Sequence, residues 1–302
     1  MEDLSIAYPR LDILSRISTF LFAFDNLTHL CVENVVITLS PQWNGFGKLV
    51  KLELLSVSVE LDELMTLLSK CPMLEYLDFE CDHRRHYFMN YFINEEHTLE
   101  VLKSVKPINL THLESVMISL LSGYVAEVEF IRNVLQWASV LKYMTLKSTF
   151  SGIGDEPNFS KMFLALHEVP QELPRMLNDL KTIKLRNVNF GIMDNVACVI
   201  CLMRSSPKLY GLDINFDAWL LWAPRAEETY KAINYLKANQ KQNINYNNLK
   251  IVIMKFVGIQ PEMKFVKLLL LKGTELEQLK LTFLSMDDGE LDKAKMELKL
   301  FY

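Results

Sequence analysis

Apolar residues recur along this chain in one short frame, Leu-x-x-apolar-x-apolar, placed just after helix-period runs. SKCPMLEYLDF (69–79) and RSSPKLYGLDI (204–214) both end in that frame. Pro72 and Pro207 mark the joint, because proline cannot continue a helix and pushes its predecessor towards extended geometry. Each stretch therefore predicts a helix-to-strand joint. Leu141, Met144 and Leu146 hold the same frame, as do Leu276, Leu279 and Leu281, so the first leucines stand at 74, 141, 209 and 276, with gaps of 67, 68 and 67. Gly273, a usual helix terminator, stands before the last frame; neither signal precedes Leu141. A second series opens at Leu27, Leu49, Leu180 and Leu249, and at Leu113 or three residues earlier. Eight residues past each opening leucine stand Val35, Val57, Leu121, Val188 and Val257. Between frames, Leu61, Leu64, Met65 and Leu68 share one helical face. Val128, Ile131, Leu135 and Ala138 do the same, as do Val196, Val199, Ile200 and Met203, and Phe265, Val266, Leu269 and Leu270. These periods predict amphipathic helices packed on strands. Ala226–Asn239 also reads as helix, and 287–302 as a short exposed one.

The resulting unit is strand, helix, strand, longer excursion. Gaps of 22 (27 to 49) and 25 (49 to 74) are those of leucine-rich repeats, in which about 20–29 residues give one strand and one convex-side element. The fold expected is an α/β leucine-rich-repeat solenoid, with parallel strands on the concave face and helices and irregular segments on the convex one. The 39 or 40 residues separating 74 from 113, 141 from 180 and 209 from 249 hold either a further strand, for which Leu99–Leu102 is a candidate, or an insertion. The ninth position never holds asparagine, so the standard asparagine ladder is expected to be missing.

Side chains alternate across a strand, so if the leucines point inward their neighbours make a binding face. The candidate protein-binding residues are Tyr76, Asp78, Glu80, Tyr143, Lys147, Lys184 and Arg186, with acid gathered at the 76–80 strand and base at the next two. Lys51, Glu53, Asp213, Asn215, Lys255 and Lys280 join the same face. A strand face of this kind offers about 400 Å² at ~4.8 Å per strand. A standard interface takes about 800 Å² per partner. A protein target is thus expected to touch rim loops such as 82–97 or 148–175 as well.

Charge and composition narrow the partners. A net charge of −5 gives no reason to expect nucleic acid or an anionic membrane. No apolar run approaches a membrane span, and the acidic start MEDLSIAYPR lacks the layout of a secretory leader. Five cysteines without framework spacing read as reduced thiols. Cytosol or nucleus is the expected location.

Chemical motifs are sparse. Cys198-x-x-Cys201 lies in an apolar helix without a second pair, so it reads as core packing, with neither disulfide nor metal. Cys81-Asp-His-Arg-Arg-His86 reads as a solvated loop, since its two arginines would repel a cation. The Asn-x-Ser/Thr triplets opening at Asn26, Asn109 and Asn158 matter only in secreted chains. Two tryptophans in 217–224 read either as a protein contact or as packing of the excursion. No phosphate-binding loop, serine elbow or carboxylate pair in a recognisable setting is present, so no enzyme, catalytic residue, cofactor site or metal site is expected.

The joint words, LKTIKLRNVNF (180–190) and the stretch NLKIVIMKFVGIQPEMKFVKLLLLKGTELEQLKL (248–281) resemble plant F-box/FBD/LRR-repeat proteins. Phe256, Gly258, Glu262, Phe265, Val266, Lys267, Leu269 and Leu270 hold the positions of an FBD segment. The resemblance implies an irregular repeat region over 1–245 and an FBD-like repeat and tail over 246–302. It implies a substrate receptor of an SCF-type ubiquitin ligase, with the target on the repeats and a Skp-type adaptor on an F-box. RLDILSRISTFLF (10–22) lacks the Leu-Pro start of an F-box, so adaptor binding is expected only if an F-box stands upstream. A ligase-independent scaffold is the alternative.

Overall fold

The computed structural model describes residues 2–8, 15–16, 24–59, 61–81, 108–121, 125–148, 171–173, 175–215 and 226–283. The chain divides into two compact units, Met1–Ile153 and Gly154–Tyr302. The boundary expected at 245/246 falls inside the second.

In the first unit the alternating runs form β1 (Asp3–Ala7), β2 (Ser15–Arg16), β3 (His29–Glu33), β4 (Val35–Ile37), β5 (Lys51–Val59), β6 (Tyr76–Cys81), β7 (Ser115–Leu121) and β8 (Tyr143–Ser148). Helix α1 (Leu61–Ser69) joins β5 to β6, and α2 (Val125–Trp137) joins β7 to β8. The ladder runs β1-β3-β5-β6-β7-β8 and every pairing is parallel, with β4 paired to β2 and β5. The second unit contains β9 (Thr182–Arg186), α3 (Met193–Arg204), β10 (Gly211–Asn215), α4 (Ala226–Lys241), β11 (Ile251–Phe256), α5 (Gln260–Lys272) and β12 (Gln278–Phe283). Its parallel order is β9-β10-β11-β12. Both units have the α/β, parallel-strand build of a leucine-rich-repeat solenoid, and every helix expected among the described residues is present.

One hydrogen-bond pattern repeats at each strand entry. The N–H of the opening leucine donates to the carbonyl three residues back: Leu49 to Phe46, Leu74 to Cys71, Leu113 to Leu110, Leu180 to Leu177, Leu209 to Ser206 and Leu276 to Gly273. The next two N–H groups then converge on one carbonyl of the preceding strand, as Glu75 and Tyr76 do on Val50. This turn explains the joint that carries neither proline nor glycine. Ala138 donates to Val134 O at the end of α2, and Leu141 donates to Ala138 O at 3.4 Å. The turn also fixes the register at Leu113, with Val116 and Ile118 buried behind it.

The frame leucines are the core. Leu52, Leu54, Leu77, Phe79, Val116, Ile118, Met144 and Leu146 are buried in the first unit, and Ile183, Leu185, Leu212, Ile214, Val252 and Met254 in the second. Burying one such side chain stabilises by about 1.5–3 kcal/mol. Helices cover this face, with Phe130 of α2 set edge-on to Phe79 at 5.6 Å and Phe265 of α5 against Phe190 at 4.8 Å. Helix α3 differs from the amphipathic expectation, because Asn195 to Arg204 are all buried. Part of its polar inventory is taken up inside, Arg204 donating to Asn239 Oδ1 at 2.5 Å and to Gln242 Oε1, and Asn195 to Asn189 O at 3.2 Å, while Asn195 Oδ1 and Arg204 Nε are buried without a hydrogen-bond partner. Cys198 and Cys201 are free thiols in this buried helix. Burial pushes Cys198 well up and Cys201 to about 11.

Two readings of the gaps resolve. Strands β6 and β7 pair directly, Tyr76 to Ser115, as do β10 and β11, Gly211 to Ile251. No further strand stands between either pair in the ladder, and α4 lies in the second of the two intervals. The expected absence of an asparagine ladder is only partly met. One position before the ninth, Asn34, Ser56 and Asn187 take left-handed backbone, with φ of 57°, 50° and 64°. Asparagine tolerates that conformation better than most residues. Asn34 Nδ2 donates to Tyr8 O at 3.0 Å, and Asn187 N to Asn215 O at 2.7 Å. Leu99–Leu102, residues 82–97 and 149–170 of the rim loops, the 217–224 tryptophans and the 287–302 tail lie outside the described residues.

Candidate functional site

With the leucines turned to the helices, the intervening residues form the opposite face of each sheet. In the first unit, register sets Cys31, Glu53, Asp78, Met117 and Thr145 in one row across β3 to β8. A second row runs His29, Lys51, Tyr76, Ser115 and Tyr143. Glu80 pairs with Ser119, and Ser119 with Lys147. Tyr143 is 47% exposed and Lys147 is exposed, so both present themselves to solvent.

Acid collects on β5 and β6. Glu53 pairs with Lys51 at 3.0 Å, and Lys51 lies 5.2 Å from the centre of the Tyr76 ring. Glu80 Oε1 accepts from Ser56 Oγ at 2.8 Å, a contact that the left-handed turn at Ser56 permits. Asp78 lies between them and is only 5% exposed, and its Oδ1 has no hydrogen-bond partner. Its carboxyl is pushed up to about 6, first by desolvation and then by the charges of Glu53 and Glu80, against a smaller pull from Lys51. The alternation correctly turns Asp78 to this face. It does not reveal that the carboxylate is sunk into it.

The second unit carries two of the three basic candidates, Lys184 and Arg186, the third being Lys147 on β8. Lys184 is exposed on β9 and pairs in register with Asp213 of β10. Arg186 is no loose cation. Its Nη1 and Nη2 donate to Asp213 Oδ1 and Oδ2, both at 2.7 Å, in the bidentate geometry that makes such pairs strong. The candidates Tyr76, Asp78, Glu80, Tyr143 and Lys147 thus lie on strands of the first unit, and Lys184 and Arg186 on a strand of the second.

The Phe256–Glu262 segment has a clear structural task. Gly258 has φ of 97°, a conformation that glycine adopts without penalty. Glu262 then accepts from the N–H of Gly258 at 2.6 Å, Ile259 at 2.8 Å and Val257 at 3.4 Å, closing the start of α5. Burial raises its carboxyl to about 7 while those donors hold it back.

Among the described residues no group of His, Cys, Asp and Glu could hold a metal ion, and no helix is long and apolar enough to cross a membrane. Comparison with known families gives two matches. The family described as FBD-associated F-box protein At5g56370, LRR repeats, matches residues 1–102, and the FBD family matches residues 102–146. No curated protein matches the chain. The FBD match covers β7, α2 and the start of β8, whereas the FBD resemblance in the sequence lies at 248–281, which covers β11, α5 and the start of β12. The two stretches are the same strand-helix-strand unit, opened by Leu113 and by Leu249.

Proposed function

Because this chain is a leucine-rich-repeat/FBD protein, whose repeats and FBD match the FBD-associated F-box proteins, we propose that it is the target-recognition part of an SCF-type ubiquitin ligase receptor. These repeat and FBD families are interaction modules and typically not enzymes. The observation that carries the reading is the polar strand face of each unit, built on buried leucine rows and presenting Tyr143 and Lys147 to solvent in the first unit and Lys184 in the second. The target is a protein that touches this face and the rim loops, in the cytosol or nucleus. Residues 246–302 are read as an FBD-like repeat and tail, of which β11, α5 and β12 are the described strand-helix-strand part. The Skp-type adaptor is held by an F-box, outside the repeats.

A pull-down tests this with two versions of the chain, one as it stands and one with an added F-box. The expected result is that both retain the same target and that the adaptor comes down only with the second. Equal adaptor recovery from both would place the docking site within 1–302 and overturn the division of labour. A target whose ubiquitination never responds to the F-box version would favour the scaffold. Lys184→Glu is expected to weaken target retention at least about tenfold if the second sheet contributes.

A further inference from the structure

The two units place an aspartate at the same point of the same repeat. Asp78 and Asp213 each stand four residues past their opening leucines, Leu74 and Leu209. Their neighbours differ. The strand before Asp213 supplies Lys184 and Arg186. The strand before Asp78 supplies Glu53 and Leu55 at the same offsets from Leu49. A left-handed residue follows at the same offset in both, Ser56 and Asn187, although the β5–β6 register shifts between Leu54 and Val57 whereas Arg186 pairs with Asn215. One aspartate therefore receives a bidentate guanidinium from its own chain, and the other has a buried oxygen without a partner.

We infer that the acidic face of the first unit, Asp78 with Glu53 and Glu80 beside it, binds an arginine side chain of a partner protein. The inference rests on the protein-recognition reading and names the chemistry of what is recognised. The second unit shows what a guanidinium does at this position of the repeat: it takes both carboxylate oxygens at 2.7 Å. Charge agrees with that occupant. Among the described residues, Lys51 is the one cation acting on Asp78, beside the acids Glu53 and Glu80, and Lys51 is already held by Glu53. An incoming cation would also lower the raised carboxyl towards its ordinary value, because opposite charge favours the ionised form. Tyr76 and Tyr143 lie in the adjoining row, where an aromatic face can flank a guanidinium.

The test uses a fluorescein-labelled short peptide with two arginines, its citrulline counterpart, and the full chain, read by fluorescence anisotropy. The arginine peptide is expected to bind at least about tenfold more tightly than the citrulline peptide. Asp78→Asn/Glu80→Gln should remove at least about tenfold of that affinity, while Glu227→Gln/Glu228→Gln, an equal loss of charge on α4, should change it less than about twofold. Leu55→Arg, which supplies the guanidinium within the chain, should block the peptide as fully as the double variant. Circular dichroism melts keep the comparison to folded protein. Equal losses from both double variants would mean general attraction to an acidic protein, and would overturn the inference. So would an arginine peptide that binds no better than citrulline. If a target is retained by the chain and ignores these variants, the inference falls while the recognition reading stands; if no target is retained, the recognition reading falls.

Discussion

The two halves of this protein repeat one plan with opposite electrostatics. β5-α1-β6 and β9-α3-β10 carry the same turn, the same buried leucine frame and the same left-handed residue after the first strand's frame. Inside the frame the positions agree: Leu77 and Leu212 are buried to 0% and 2% exposure. On the other face they diverge, Glu53 against Lys184 and Leu55 against Arg186. The lesson is that the inward half of each strand is constrained by packing, whereas the outward half can be rewritten without altering the fold. Differences on that face are where recognition is written.

The largest expected effect tests the shared half of the plan. Leu77→Ala and Leu212→Ala should each cost about 2–5 kcal/mol, measured as loss of urea-unfolding free energy. Similar costs would confirm that the frames are equivalent. A cost at only one of the two would break the comparison at its base. Next comes the side that differs. Arg186→Ala leaves Asp213 as Asp78 now stands, with no guanidinium against it. The pair is partly exposed, at 26% and 23%, so the expected cost is about 1–2 kcal/mol. Asp213→Asn in the Arg186→Ala background should recover part of it, since the lone charge is then gone.

Most of the inward half is legible from sequence. The frames, their spacing and the five helices follow from periodicity, because a period-two strand and a 3.6-period helix leave different traces. The register at Leu113 is less plain, since Leu110 also stands three residues before a leucine, although Ser115 would break the frame that it opens. The turn hydrogen bond from Leu113 N–H to Leu110 O settles it. The candidate face is legible as a set of residues but not as contacts. Arg186 and Asp213 are 27 residues apart, and their pairing depends on a diagonal across β9 and β10 that no local pattern reports. One signal was available: laying 49–81 beside 180–216, with a four-residue gap that keeps Leu49 on Leu180 and Leu74 on Leu209, puts Leu55 against Arg186 and Asp78 against Asp213. The left-handed position lies one residue from where the repeat pattern places asparagine, at the eighth place in Asn34 and Asn187 rather than the ninth.

Leu55→Arg writes the second half's solution into the first. The new side chain would follow Glu53 by two places, as Arg186 follows Lys184. A gain of about 0.5–1.5 kcal/mol is expected, read as a higher urea midpoint with unchanged slope. A loss of stability would show that the turn at Ser56 and the one at Asn187 aim their preceding side chains differently.

The smallest effect is a pH dependence, and its sign separates an unpaired carboxylate from a paired one. The folded-state value of Asp78 is raised to about 6 from 3.8. Between those values the folded chain holds a proton that the unfolded chain has released, so stability falls as pH rises through this window. Below about pH 4 both states are protonated at this group and its penalty vanishes; above about pH 6 the penalty is fully present. Among the described residues, the groups facing Asp78 are Glu53, Glu80 and Lys51, the last opposing the first two. Asp78→Asn removes the titrating group and keeps the shape, and its amide can donate to the carboxylates beside it. The variant should therefore gain on the order of 1 kcal/mol over the parent at about pH 7.5, after allowance for solvent screening, and lose that advantage by about pH 4. Urea unfolding of both proteins at the two pH values measures it. Equal stabilities at the higher pH would mean that Asp78 already has its counter-charge in the free chain, and the contrast with Asp213 would disappear.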